Sequence, residues 1–265
     1  MRPFLGTFVE VGVQAESGRL ADDAINAAFD AIAEVQCLMS FHDTRSDLSR
    51  LNLAGGKEVE VHLHTFRVLR LARAMTRASG GLFNCTVGGA LVRQGVLPDH
   101  GAENVLDYGD AEDIELHGSR ARLRRRVQVT LDGIAKGYAI DCAVSAMKSH
   151  GVIAGWVNAG GDLRVFGNMV LPVQRREAGG DYRHLGGLQE ASLATSSVHA
   201  VQDTSFPAWI VSDIGTPEQG IWSVLARRAW RADALTKVAS LAHRSQRAEL
   251  VQKLGGRLLP VSGGD

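Results

Sequence analysis

The sequence has few cysteines and no surplus of charge, and these two shortages exclude several classes of protein. Its 265 residues include only Cys37, Cys85 and Cys142. An odd number without Cys-x-x-Cys spacing predicts neither a disulfide framework nor a zinc site, so we expect buried free thiols in a reducing compartment. Lysine plus arginine and aspartate plus glutamate both number 29. This balance argues against nucleic-acid binding, which needs a basic surface.

Long apolar runs are absent as well. No stretch approaches the roughly 20 residues that span a bilayer, and the N-terminus, MRPFLGTFVEVGV, lacks the apolar core of a signal peptide. We therefore expect a cytoplasmic protein without a membrane span. The densest basic run is Arg120–Arg126. It is interpreted as a solvated strand edge, where charges discourage pairing with another chain, with a polyanion patch as the alternative.

Apolar periodicity predicts helices and strands in an order typical of an α+β fold. Helices are expected over residues 20–40, 46–52, 64–81, 135–151, 232–245 and 248–256, with Ser46 capping the second. Strands are expected over 5–13, 127–131, 191–201 and 220–230 and as a hairpin over 155–167, with a loop over 179–187. The strands lack regular βαβ alternation, so a doubly wound sheet is disfavoured. We expect one domain over residues 1–265, or two interleaved lobes.

A loop before a predicted helix carries the first candidate chemistry. The stretch TLDGIAKGYAID, Thr130–Asp141, places Lys136 beside the N-terminus of that helix. Free backbone N–H groups and an ammonium together favour a phosphate. The alternative is a surface ion pair of Lys136 with Asp132 or Asp141, which contributes little.

Two further segments are candidates for ligand contacts. In NAGGDL, Asn158–Leu163, the pair Gly160–Gly161 either forms a hairpin turn, with Asp162 in left-handed geometry, or lets the backbone approach a ligand. In RADALTKV, Asp233 and Thr236 fall on one face of a helix. A carboxylate and a hydroxyl suit Mg²⁺, and the alternative is that Asp233 caps the helix N-terminus.

Taken in order, six segments resemble the ApbE family, the FAD:protein FMN transferases. They are LGTFVEV, LMSFHDTRSDLSRLN, GGLFNCTVGGALV, TLDGIAKGYAIDCA, WVNAGGDLRVFG and ADALTKV. The resemblance implies a T-fold-like α+β body, with mixed or antiparallel sheets and packed helices, that binds FAD. It also implies Mg²⁺-dependent cleavage of the FAD pyrophosphate, with transfer of FMN to a threonine or serine of an acceptor flavoprotein and release of AMP. Some members instead hydrolyse FAD to FMN and AMP.

The resemblance also assigns roles by position. It implies that Asp233 and Lys136 are catalytic, and that the backbone carbonyl of Gly133 and the side chains of Asp233 and Thr236 hold Mg²⁺. The residues implied to face or lie near FAD are Leu5, Phe41, His42, Asn84, Cys85, Thr86, Thr130, Lys136, Gly160, Gly161 and Asp162.

Several of these positions depart from the family pattern. Thr130 and Asn84 stand where the family has aspartate. Lys237 follows Asp233 by four residues, in place of a threonine, and the segment PAWIVSDIGTPEQG, residues 207–220, lacks the family's histidine. Two hypotheses stay open. One is an FMN transferase or FAD pyrophosphatase with an altered metal site, and the other is a homologue that binds flavin, nucleotide or a partner protein without catalysis.

Overall fold

The computed structural model describes residues 1–177, 179–198 and 209–260. Contacts divide the chain into two compact units. The first unit comprises Met1–Glu34, Lys136–Ala208 and Glu218–Asp265, and the second comprises Val35–Ala135 and Trp209–Pro217. The chain therefore leaves the first unit twice and returns twice. The expectation of one domain over the whole chain stays a prediction.

Twelve strands and seven helices are found in the described ranges. The strands are β1 (Arg2–Phe4), β2 (Thr7–Gln14), β3 (Val59–Glu60), β4 (Ile114–His117), β5 (Arg120–Leu123), β6 (Ala154–Ala159), β7 (Asp162–Phe166), β8 (Leu171–Arg176), β9 (Tyr182–Leu188), β10 (Ser192–Val198), β11 (Gly220–Ala226) and β12 (Gly256–Leu258). The helices are α1 (Gly18–Met39), α2 (Asp47–Leu53), α3 (Leu63–Ala78), α4 (Gly88–Arg93), α5 (Ala135–Ser149), α6 (Ala229–Leu241) and α7 (Arg247–Lys253). Within those ranges, no helix is both long and apolar enough to cross a membrane.

The first unit is built on an antiparallel sheet of seven strands in the order β1-β2-β6-β7-β10-β11-β12. Strands β8 and β9 form a separate antiparallel hairpin. Helix α6 packs on β10 and β11, and Trp222 and Phe166 are among the largest fully buried side chains. The predicted α+β fold with antiparallel sheets and packed helices is confirmed.

The β6–β7 hairpin sets the position of a candidate site residue. Gly160 and Gly161 form its turn with φ of 60° and 97°, values that glycine adopts at little cost. A Cβ at Gly160 would lie 2.6 Å from Thr7 Oγ1, so the turn also depends on the absence of a side chain there. The predicted hairpin is confirmed, but Asp162 does not adopt left-handed geometry. It is the first residue of β7 and pairs with Ala159.

The second unit contains a three-stranded sheet, β3-β5-β4, with helices α2, α3 and α4. Ser46 caps α2 as predicted, because its side chain accepts a hydrogen bond from the Ser49 N–H. The prediction of a strand edge at the arginine run is wrong, since β5 lies between β3 and β4. Ala121 and Leu123 of β5 are buried. The arginines alternate with these apolar residues, and charge alone therefore misidentified the strand.

Two other sequence predictions are wrong. Residues 127–131 do not form a strand. The side-chain amide of Asn52 instead donates a hydrogen bond to the Val129 carbonyl and accepts one from the Val129 N–H, each at a distance of 2.8 Å. Asn52 thus takes the place of a neighbouring strand for Val129. The predicted loop over 179–187 contains most of β9, whose residues are largely exposed. Glycine and polar residues are typical of loops, but this segment pairs with β8. The end of the predicted strand over 191–201 lies outside the described residues.

Candidate functional site

Four charged side chains from three elements lie together in the first unit. Lys136, in the first turn of α5, has its Nζ 3.0 Å from Oδ2 of Asp162. On α6, Lys237 Nζ lies 2.5 Å from Oδ1 of Asp233. Asp162 and Asp233 are 2% and 0% exposed, and the charges of Asp233 and both lysines act on Asp162. We call these four residues the lysine–aspartate cluster.

Asp233 is held from both sides. Its Oδ2 accepts the backbone N–H of Gly137 over 3.1 Å, and its backbone carbonyl accepts from Thr236 Oγ1 over 2.7 Å. Helix α6 begins at Ala229, so Asp233 lies inside the helix and does not cap it. The N-cap interpretation is therefore wrong, whereas the predicted proximity of Asp233 and Thr236 on α6 is confirmed.

Asp162 is the second buried acid of the cluster. Its Oδ1 accepts the backbone N–H of Thr195 over 3.1 Å. Burial raises the pKa of Asp162, and the Asp233 charge raises it further, while Lys136 and Lys237 act in the opposite direction. The sequence had offered Asp132 or Asp141 as partners of Lys136, and the ion pair with Asp162 was missed because it joins residues from separate segments.

Asp141 instead supports the start of α6. Its two carboxylate oxygens accept the backbone N–H groups of Ala229 and Trp230, each over 3.2 Å. These belong to the N-terminal N–H groups that lack partners within a helix. Arg164 forms an ion pair with the same carboxylate, while burial raises the pKa of Asp141 despite these contacts. A residue of α5 thus caps α6, a role that sequence reasoning missed.

A cavity of about 910 Å³ lies in the first unit. Its lining includes Trp156, Asn158, Gly160, Gly161, Arg175 and Thr195. The backbone N–H of Thr195 donates to Asp162, and Gly161 directly precedes Asp162 in the sequence. The cavity therefore borders the lysine–aspartate cluster. Arg175 is 4% exposed and donates to Ser223 Oγ, to the Pro260 carbonyl and to Glu177. The sequence analysis missed Arg175, which follows no recognisable motif.

The candidate residues of the second unit form their own polar group. Asn84 Oδ1 accepts from the Thr86 N–H over 2.9 Å and from Thr86 Oγ1 over 2.6 Å. The Thr130 N–H donates to the Cys85 carbonyl at a distance of 2.8 Å. Cys85 is buried, and this burial raises the pKa of its thiol to about 12. The expectation of buried thiols holds for Cys85 but is wrong for Cys37, which is exposed.

The remaining candidates are placed as follows. Phe41 is buried, with its ring centroid 5.9 Å from that of His100, while His42 is exposed. Gly133 lies in the turn that leads into α5. Leu5, in the first unit, has φ of 55° and lies between β1 and β2. The contacts described above bring together Lys136, Asp162, Asp233 and Thr236 in the first unit, and Asn84, Cys85, Thr86 and Thr130 in the second. The role of each candidate in binding FAD stays a prediction.

The oxygen atoms of the first unit that are expected to coordinate Mg²⁺ already make hydrogen bonds within the protein. Asp233 accepts Lys237 on one carboxylate oxygen and Gly137 on the other. The hydroxyl of Thr236 bonds the Asp233 carbonyl and lies 2.7 Å from Ser196 Oγ. Mg²⁺ requires near-octahedral oxygen ligands at about 2.1 Å. An ammonium in contact with the carboxylate does not fit that requirement.

Comparisons with known proteins agree with the architecture. The ApbE protein of Thermotoga maritima superposes with a TM-score of 0.83 at 25% identity, over 100% of this chain and 94% of that one. The flavinyl transferase ApbE of Pseudomonas stutzeri gives 0.79 at 17% identity, over 97% and 92% of the two chains. The flavin transferase ApbE of Vibrio cholerae gives 0.77 at 19%, over 99% and 96%. No match was found among the curated proteins.

The sequence model of the ApbE family matches residues 5–258. This range includes the lysine–aspartate cluster, the β6–β7 turn and the polar group around Asn84. The structural likeness extends over nearly the same length as the sequence match. The chain therefore belongs to the ApbE family.

Proposed function

We propose that this protein is a flavin transferase that cleaves FAD, attaches FMN to a hydroxyl group of an acceptor flavoprotein and releases AMP. Membership of the ApbE family supports this function. Two structures with the same fold are named flavinyl transferase and flavin transferase. The substrate is FAD, and the acceptor side chain is a threonine or serine.

The observation that carries the proposal is the lysine–aspartate cluster beside the cavity. Lys136 and Lys237 are held in place by buried aspartates, with side chains 30% and 21% exposed. Their ammonium groups are suited to a dense anion such as a pyrophosphate. The cavity volume of about 910 Å³ lies within the range of about 300–1,000 Å³ found for ligand sites. We assign the pyrophosphate to the cluster and the flavin to the cavity, whose lining includes the aromatic residue Trp156.

The reaction follows from this arrangement. The acceptor oxygen attacks the phosphorus of the FMN half, and the bond from that phosphorus to the bridging oxygen breaks. The bridging oxygen leaves with AMP, and the hydroxyl proton passes to the AMP phosphate or to water. Phosphoryl transfer requires mainly positioning and charge stabilisation from the protein. Lys136 and Lys237 supply fixed positive charge, and Asp162 and Asp233 hold those ammonium groups.

Mg²⁺ stays a prediction of the family resemblance, and the Lys237–Asp233 ion pair argues against it. No step of the proposed reaction is assigned to a metal. Where water replaces the acceptor hydroxyl, the same displacement releases FMN and AMP, which is the pyrophosphatase reaction. Transfer and hydrolysis therefore differ only in the attacking oxygen.

The test is incubation of the pure protein with FAD, in Mg²⁺ and separately in EDTA, with chromatography of AMP and FMN. A parallel reaction with a cell extract is run on a denaturing gel and examined for covalent flavin fluorescence. We expect AMP and a fluorescent protein band in the reaction with extract, which supplies an acceptor. AMP in the reaction without extract comes only from attack by water. AMP and free FMN without a band would identify hydrolysis as the activity.

Two variants connect the activity to the cluster. Asp233→Asn and Lys136→Met should each lower AMP release at least about 100-fold, a loss typical of removing one charge-stabilising group. Lys148→Met is the control, since this lysine lies in the last turn of the same helix as Lys136. Absence of AMP and of covalent flavin would refute the transferase. Quenching of flavin fluorescence in that case would identify a binding protein without catalysis.

A further inference from the structure

We propose that Lys237 replaces a divalent metal ion in this protein, so that the ammonium is the permanent cation of the site and no metal binds at Asp233. The exclusion of metal is a property of the site itself. Its consequence for catalysis, cleavage of FAD without a metal, rests on the function proposed above.

Two oxygen atoms of Asp233 accept hydrogen bonds from the Lys237 ammonium. Lys237 Nζ lies 2.5 Å from Oδ1 and 3.2 Å from the backbone carbonyl of Asp233. The lysine follows the aspartate by four residues in the same helix, so a single turn of α6 brings the groups together. A metal on Oδ1 would have to displace the ammonium, since two cations on one carboxylate oxygen repel each other.

The second carboxylate oxygen is also occupied. The Gly137 N–H donates to Oδ2, and a Cβ at Gly137 would lie only 2.3 Å from the Ala229 carbonyl. The two helices therefore touch at this glycine, and the donor has little freedom to withdraw. Asp233 is 0% exposed, so its carboxylate cannot rotate into solvent to meet an ion.

The charges of the cluster already balance without a metal. Lys136 and Lys237 carry two positive charges, and Asp162 and Asp233 carry two negative ones when ionised. A divalent cation would add an uncompensated double charge to a largely buried site, which is strongly unfavourable. Among the described residues, Asp233 takes two of the three N–H donors of Lys237. The third is available for an oxygen of an anionic ligand.

The test uses Mn²⁺ as the probe, with binding followed by electron paramagnetic resonance and by calorimetry. The variant Lys237→Thr removes the ammonium and adds a hydroxyl one turn from Asp233. We expect no stoichiometric Mn²⁺ binding by the wild type, and an affinity at least ten-fold higher in the variant. Lys237→Arg keeps the charge and should remain without Mn²⁺.

Lys253→Thr is the matched control. Lys253 also follows its partner, Glu249, by four residues, with an Nζ–Oε1 distance of 2.6 Å, but this pair is exposed. The control should bind Mn²⁺ no better than the wild type. Circular dichroism shows whether each variant is folded, and Lys237→Gln serves if the threonine variant unfolds.

Three results would overturn the proposal. One is stoichiometric Mn²⁺ binding by the wild type that disappears in Asp233→Asn. Another is the absence of binding in every folded Lys237 variant that lacks the positive charge, because Lys237 would then not be the group that excludes the ion. The last is AMP release from FAD that EDTA abolishes and Mg²⁺ restores. If no AMP forms under any condition, the transferase function fails, and Mn²⁺ binding still decides this inference.

Discussion

The backbone N–H of Gly137 donates a hydrogen bond of 3.1 Å to Oδ2 of Asp233, although 96 positions separate the two residues in the sequence. This contact joins the first turn of α5 to the interior of α6. Asp141, one turn further along α5, accepts the N–H groups of Ala229 and Trp230 at the start of α6. Two sets of hydrogen bonds thus position Asp233 relative to Lys136.

Gly137→Ala should disrupt this contact between helices. The added Cβ would lie 2.3 Å from the Ala229 carbonyl oxygen, and overpacking of this kind costs about 1–3 kcal/mol. We expect that loss in the free energy of unfolding in urea, together with reduced AMP release. Gly18→Ala is the control, because no atom lies within 4 Å of a Cβ there. Equal stability of the two variants would contradict the close approach.

Asn52→Asp should destabilise the second unit. The amide of Asn52 donates to the Val129 carbonyl and accepts from the Val129 N–H. A carboxylate keeps the acceptor but loses the donor and leaves the carbonyl unpaired, which costs about 1–3 kcal/mol. The free energy of unfolding in urea measures the loss. The exposed Asn26, which accepts from Arg2, is the control, and Asn26→Asp should change stability by less than about 0.5 kcal/mol.

Asp162→Asn should change how stability depends on pH. Burial raises the pKa of Asp162 above its ordinary value of 3.8. The folded protein therefore holds this proton more tightly than the unfolded chain does. The resulting stabilisation is fully present below the ordinary pKa and is lost as the pH rises through the folded pKa. We expect the free energy of unfolding of the wild type to fall relative to Asp162→Asn as the pH rises from ~4 toward neutral.

Asp113→Asn is the matched comparison, because the pKa of Asp113 is shifted in the direction opposite to that of Asp162. Burial is the largest single influence and acts to raise the pKa of Asp113, but the Arg125 hydrogen bonds, the Asp110 backbone N–H and the charges of Arg125 and Arg124 together outweigh it, and the pKa is lowered. The stabilisation from Asp113 is present above its ordinary pKa of 3.8 and is lost as the pH falls through the folded value. As the pH rises, the free energy of unfolding of the wild type should therefore fall relative to Asp162→Asn and rise relative to Asp113→Asn. Urea unfolding across the pH range measures both differences. Parallel curves would show that Asp162 does not carry a raised pKa.

The cysteines should differ sharply in reactivity. Cys37 is exposed, whereas Cys85 is buried and its pKa is raised to about 12. Since the thiolate is the reactive form, iodoacetamide near pH ~8 should modify Cys37 and spare Cys85 in the folded protein. Mass spectrometry of the digested protein measures each site, and urea should make Cys85 reactive. Rapid modification of Cys85 without denaturant would contradict its burial.

Local sequence patterns predicted much of the fold. The apolar spacing of α1 and α3, the Ser46 cap and the turn at Gly160–Gly161 depend on residues that are close together along the chain, where periodicity and backbone preference act directly. The ordered motifs also identified the family, because each preserves a short run of residues. The pair of Asp233 and Lys237 could be anticipated from its spacing of four residues in a helix.

The spacing of residues along the chain was sufficient to predict six of the seven described helices, with α4 missed, together with the hairpin turn, the candidate charged residues and the family. Tertiary packing established that Lys136 pairs with Asp162, that Asp141 caps α6 and that Asn52 replaces a strand partner for Val129. It also decided that β5 is a central strand and that residues 182–188 form β9. Each of these depends on which distant segments meet and on how deeply they are buried. Neither property is encoded in the spacing of residues along one segment, so local patterns could not supply it.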